Sequence, residues 1–197
     1  MGSPARDLTA AAVELFYEQG AQATTVREIT KACGLTAGAL YNHFTSKEEL
    51  LFTVIMGSHA TLEQLVVAAQ AEAAGPRGQF VAIVRVYVEQ HAQHRKSSRV
   101  ANREYGQLGK DRRAEIVSIR RRLRDRFIRV IEAGERSGDF RLDGVSATIV
   151  ARAILDMCVH ISAWFHEGQP LSIAELQDRY VRLALRMVGA SDGHRPE

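Results

Sequence analysis

Proline, cysteine and tryptophan are scarce: four, two and one among 197 residues, with aromatics at 7%. So few prolines leave long stretches open to helix. Cys33 and Cys158 lie far apart and lack metal-type spacing. That excludes a disulfide scaffold and predicts a reducing, cytoplasmic setting. Long apolar runs are missing too. Residues 81–84 are typical, broken by charge well short of the roughly 18 residues a bilayer span needs. No membrane partner is expected. No charged segment leads into an apolar one at the start, so no secretory leader is expected. Strand-like alternation is absent. So are a nucleophile elbow, a glycine-rich phosphate loop and a paired-carboxylate motif, which predicts no catalytic residue, no enzyme and no cofactor.

Apolar residues make up 46% of the chain and charged residues 25%, a composition for one or two globular domains rather than a disordered segment. The net charge of +3 is unevenly spread. Residues 1–50 carry four Lys/Arg against six Asp/Glu, whereas residues 85–129 carry fourteen against five.

Helical periodicity runs through nearly every segment. Leu8, Ala11, Ala12, Leu15 and Phe16 form one face of a first helix over residues 4–19, with Ser3 as cap and Gly20 as stop. Thr25-Val-Arg-Glu28 and Ser46-Lys-Glu-Glu49 read as capping boxes. Between them, Gly34 marks a tight turn with positive φ, followed by a short helix over residues 36–44. Its inward side is Leu40 and Phe44. Its outward side is Ala37, Gly38 and Ala39, then Tyr41, Asn42 and His43. Small residues at the helix start allow close approach to a groove, and Tyr41, His43 and Lys47 are donors suited to phosphate oxygens. Two short helices joined by a glycine turn make a helix-turn-helix. Further helices fit residues 46–74, 78–94, 100–105, 111–137, 145–166 and 173–188. The fold class is therefore all-α, with about nine helices.

The run from Thr24 to Leu50, above all Leu40-Tyr41-x-His43-Phe44-x-x-Lys47, resembles the DNA-binding domain of TetR-family transcriptional regulators. The resemblance is tight over residues 5–55. It implies an N-terminal three-helix helix-turn-helix domain over residues 1–46. An effector-binding and dimerisation domain would follow over 47–190, then a flexible tail over 191–197. It implies that Thr25, Tyr41, His43 and Lys47 hold phosphates, and that Arg27, Thr36, Ala37, Gly38 and Asn42 face the major groove of a palindromic operator. Alanines touch only thymine methyls, so specificity would rest on Thr36, Asn42, Arg27 and DNA shape. Thr30 departs from the family, which usually has Ala there. The acidic balance of this segment conflicts with phosphate neutralisation unless Glu14, Glu18, Glu48 and Glu49 point away from DNA.

The resemblance also implies a homodimer through the last two long helices. Independently, Ile149, Val150, Ala153, Ile154, Met157, Cys158 and Ile161 make an apolar surface too broad for one neighbour. Leu176, Tyr180, Leu183, Ala184 and Met187 make a second stripe. The step Trp164-Phe165-x-x-Gly168 into Leu171-Ser-x-x-Glu175 is similar to regulators of fatty-acid and sterol-ring catabolism, which respond to acyl-CoA thioesters. Candidate effector residues are Phe80, Tyr87, His91, Asn102, Tyr105, Met157, His160 and Trp164.

Arg120, Arg121, Arg122, Arg124, Arg126 and Arg129 surround one helix. They fit either a pocket mouth binding CoA phosphates or a solvated face balanced by carboxylates. His91-x-x-His94 has no carboxylate or thiolate partner at fixed spacing, so no metal site is expected. Two rivals stand beside the acyl-CoA-responsive repressor. One is a repressor of an efflux or detoxification gene, whose cationic ligand would want inward acids; only Glu89, Glu104 and Asp156 are available. The other is a helical interaction protein that does not bind DNA, against which Tyr41, His43 and Lys47 speak.

Overall fold

A computed structural model describes residues 3–166 and 168–190. The flexible tail expected over 191–197 lies outside them. Nine α-helices occur among the described residues: α1 (Pro4–Gln19), α2 (Val26–Ala32), α3 (Ala37–Leu40), α4 (Lys47–Glu72), α5 (Gly75–Gln93), α6 (Arg95–Glu104), α7 (Lys110–Ser137), α8 (Ala147–Trp164) and α9 (Ile173–Met187), with a 3-10 turn over Tyr105–Gln107. The all-α expectation holds.

Packing divides the chain into two compact units. The first joins residues 1–60 with 96–118, and the second joins 61–95 with 119–197. Packing thus adds α6 and the start of α7 to the segment that carries the helix-turn-helix. The division expected at residue 46 follows the motif instead.

In the first unit, Leu8, Ala12 and Phe16 of α1 meet Ile29, Leu40, Leu50, Leu51, Val54 and Ile55, and α6 contributes Val100 and Ala101. Pro4 fits the first turn of α1, where its missing N–H is not needed. Ser3 occupies the N-cap without a side-chain bond there. Gly20, at φ 84°, ends the helix by donating its N–H to Phe16 O.

In the second unit, α5 packs against both α8 and α9. Phe80 lies 5.2 Å from Phe127 and 5.1 Å from Phe140, ring to ring. Gly134 makes this possible, since a Cβ there would come within 2.1 Å of Phe140. Helices α4 and α8 are long and apolar enough to cross a bilayer by length and composition alone, a level the broken apolar runs did not suggest. Yet α8 buries Val150, Ile154, Cys158 and Ile161 within its own unit.

Candidate nucleic-acid interface

The geometry starts at Thr25, the N-cap of α2. Its hydroxyl accepts from Glu28 N at 3.2 Å, and the Glu28 carboxylate accepts from Thr25 N at 2.7 Å. The Thr25 hydroxyl also donates to that carboxylate, at 2.7 Å, and this bond, with that from Thr25 N, holds the Glu28 carboxyl below its ordinary value. Thr30 is buried, and its hydroxyl donates to Val26 O and Arg27 O at 3.1 and 3.2 Å. The departure from the family pattern is therefore satisfied within the helix. Gly34 turns the chain at φ 67°, as its position predicts.

The next helix is shorter than expected. Regular α geometry covers Ala37–Leu40, and residues 41–43 continue as a turn. Tyr41 N, Asn42 N and His43 N donate three residues back, to Gly38, Ala39 and Leu40. Such i→i−3 bonds tighten the end of a helix, and Gly38 weakens a nucleus this short. Leu40 and Phe44 are buried beneath it. Above them Thr36, Ala37, Gly38, Tyr41, Asn42 and His43 are all exposed, Tyr41 at 59%. Thr25 and Arg27 are exposed as well. Eight of the nine residues expected to meet DNA thus lie at the surface.

Lys47 is the ninth and differs. Its ammonium donates to Ala21 O at 2.7 Å, Gln22 O at 3.4 Å and Thr24 O at 2.6 Å. An ammonium has three protons, so all are engaged by the turn between α1 and α2. The second capping box is also shifted. Ser46 Oγ accepts from Glu49 N at 3.1 Å, but the Glu49 carboxylate accepts from Thr45 N and Thr45 Oγ1 instead.

Two acidic residues of this unit have partners on segment 96–118. Glu14 pairs with Lys96, whose ammonium also lies 5.9 Å from the Tyr17 ring centre. Glu48 accepts from Gly109 N at 3.0 Å and stands 3.6 Å from Arg112. Sequence patterning could not supply these partners, which lie 61 to 82 positions away.

The expected effector residues are divided between the two units. Phe80 is fully buried between two phenylalanines. Tyr87 and His91 are buried and stack at 5.9 Å, with His91 Nδ1 at 2.8 Å from Tyr87 O. Burial pushes the Tyr87 phenol up and the His91 imidazole down. Burial likewise raises the Cys158 thiol to about 12, which makes it inert. Asn102 and Tyr105 belong to the first unit. There Asn102 donates to Ser98 O at 2.8 Å, and the Arg113 guanidinium lies 6.0 Å from the Tyr105 ring centre.

His160 and Trp164 share an exposed stripe of α8 with Ile149 and Ala153, and half-buried Met157 continues it. The broad apolar surface expected on α8 thus divides: Val150, Ile154, Cys158 and Ile161 are buried, whereas Ile149 and Ala153 face outward. On α9, Leu183 and Met187 face outward in the same way.

The arginine-rich helix is partly neutralised. Arg122 grips Glu63 with two bonds of 2.7 and 2.8 Å, Arg126 donates to Gln70 at 2.8 Å, and Arg124 pairs with Asp125. Arg121 and Arg129 are exposed. The efflux-type reading finds little support. Glu89 and Asp156 are exposed, and Glu104 is engaged in the first unit by Arg103 and Ala21 N. Among the described residues no group of three His, Cys, Asp or Glu could hold a metal ion.

Known proteins share this fold. The family pattern described as bacterial regulatory proteins, tetR family, matches residues 8–54. The pattern described as tetracyclin repressor-like, C-terminal domain, matches residues 73–188. The HTH-type transcriptional repressor KstR2 of Rhodococcus jostii is 29% identical over 192 residues, covering 88% of this chain and 85% of that protein. A crystal structure of a tetR-family regulatory protein from Rhodococcus RHA1 superposes with TM-score 0.89 and 34% identity over 98% of this chain and 100% of that one. AibR, crystallised with isovaleryl coenzyme A and operator DNA, has the same fold, with TM-score 0.84 at 23% identity over 96% of this chain and 100% of its own.

Proposed function

The chain belongs to the TetR family of bacterial regulatory proteins, and from that premise we propose how its residues serve DNA and effector. It is a DNA-binding, ligand-responsive transcriptional repressor and not an enzyme. The exposed surface of α3 and the turn after it carries the reading, because six outward residues stand over an anchor of Leu40 and Phe44. We assign Thr25, Tyr41 and His43 to phosphates. Arg27, Thr36, Ala37, Gly38 and Asn42 are assigned to the major-groove floor. Lys47 supports this surface from behind by holding the α1–α2 turn.

Two copies paired through the outward stripes of α8 and α9 would present two such surfaces to a palindrome in the cytoplasm. Ile149 at 62% and Trp164 at 39% exposure support that pairing, since large apolar side chains in a row favour a partner.

For the effector we propose an acyl-CoA thioester, the ligand class found with AibR. The exposed Arg121 and Arg129 suit its phosphates. The effector must bind the DNA-released state more tightly than the DNA-bound state. Native mass spectrometry followed by a mobility-shift assay with a panel of acyl-CoAs tests this. A CoA-mass adduct that releases DNA is expected. DNA binding that ignores every thioester removes the acyl-CoA assignment and leaves the DNA-reading assignment in place.

A further inference from the structure

Arg103 and Glu104 end α6, roughly fifty residues beyond the helix-turn-helix motif, yet they reach the last turn of α1 and the turn that follows it. Arg103 donates to Phe16 O at 2.9 Å and to its neighbour Glu104 at 2.6 Å. Glu104, only 6% exposed, accepts the Ala21 N–H at 3.3 Å. From the opposite side, Lys47 takes the carbonyls of Ala21, Gln22 and Thr24. Along this seam an open cleft of about 560 Å³ separates residues 18–23 from the end of α6. Polar bonds from Arg103 and Glu104 hold the end of α1 and the turn on that side, beside the buried Ala21.

The turn leads directly into the reading surface. Gly20 O accepts from both Thr24 N and Thr24 Oγ1, at 3.2 and 2.8 Å, and the next residue is Thr25, the cap of α2. Helix α2 packs on α3. A shift at Ala21 is thus carried to Thr25 and, through α2, to Tyr41 and His43. Contacts of this kind tolerate only fractions of an ångström.

We propose that Arg103 and Glu104 are positioning residues for DNA reading: they fix the α1–α2 turn, and with it the placement of α2 and α3, without touching DNA. This rests on the DNA-reading assignment above. The full-length protein first selects a duplex from a random pool, and affinity for that duplex is then measured across a salt series.

E104A is expected to bind roughly tenfold or more weakly, as befits a buried amide left without its acceptor. Its slope of log affinity against log salt should match the wild type, since no phosphate contact is lost. E104Q, which retains an acceptor oxygen, should restore most of the affinity. Amide exchange at Ala21 should quicken in E104A alone. Should E104A fail to fold, R103K replaces it. That variant keeps the charge but loses the fork that reaches Phe16 O and Glu104 together, and weakened binding with an unchanged slope is again expected. Wild-type affinity in E104A, or a slope reduced by about one in either variant, overturns the proposal. A wild type that selects no duplex refutes the DNA-reading premise itself.

Discussion

The ammonium of Lys47 lies 2.6 Å from the carbonyl oxygen of Thr24, closer than its other two carbonyl partners. One side chain at the start of α4 thus closes a turn more than twenty residues earlier in the chain. A lysine three residues after Phe44, beside exposed phosphate donors, looks from sequence like a fourth donor. Its geometry makes it a clamp. Substituting Lys47 with Gln is therefore expected to weaken operator binding while leaving the salt slope unchanged. A slope lower by about one would mark a direct phosphate contact instead.

Tyr41 offers the opposite case. It is 59% exposed, so its hydroxyl supports little of the fold. Y41F should change stability by no more than about 0.5 kcal/mol. Operator affinity should nonetheless fall, and the loss should be shared across operator sequences because phosphates carry no sequence information. Paired melting curves and DNA titrations check both halves. The wild type should show a shallow salt dependence, below that of about eight phosphate contacts per half-site. Lys96 and Arg112 are already matched by the carboxylates of Glu14 and Glu48, so these two cations are not free to meet phosphate.

His91 sets a pH dependence. It is 3% exposed, and burial, reinforced by the charge of Arg120, holds its imidazole below the ordinary value despite the bond to Tyr87 O. The unfolded chain then takes up a proton that the folded chain refuses. Its stability contribution is complete above about pH 6.5 and declines as pH falls toward the lowered folded value, at up to about 1.4 kcal/mol per pH unit. The carboxyls of Glu28, Glu49, Glu63 and Glu175, all held low by hydrogen bonds, act only below about pH 4.5. Urea midpoints between pH 8 and pH 5 should fall in the wild type and fall less in H91Q.

Ile149 tests the dimer. An exposed isoleucine on the outward stripe of α8 adds little to a monomer, whereas a charge placed there opposes pairing. I149D should sediment as a monomer with helical content unchanged. Its operator affinity should drop sharply, because two half-sites would no longer be read together. A dimeric I149D with full affinity would place the interface elsewhere.

Most helix positions, the positive φ of Gly34, and the inward Leu40 and Phe44 were readable along the chain, although the helix expected over 100–105 begins earlier, at Arg95. Each follows from local rules: period, capping and backbone sterics. The length of α3 was overestimated, since periodicity does not register the weakness of a glycine-containing nucleus. Periodicity did place Met157, His160 and Trp164 on one side of α8, but it is blind to whether a side faces inward or toward solvent. For the same reason Phe80 read as a pocket residue until Phe127 and Phe140 were seen around it.

Sequence alone determined an all-α chain with a helix-turn-helix before residue 47, because those elements form through spacings of three or four positions on short helices, and the resemblance to TetR-family regulators is what assigns that surface to DNA. Tertiary structure decided what holds that surface. It brought segment 96–118 beside α1, giving Glu14 a lysine, Glu48 an arginine and Ala21 an acceptor. It turned Lys47 inward, and it divided the arginines of α7 between carboxylate partners and solvent. Those outcomes depend on which helix packs against which, a property of the whole chain's burial of apolar surface rather than of any local run of residues.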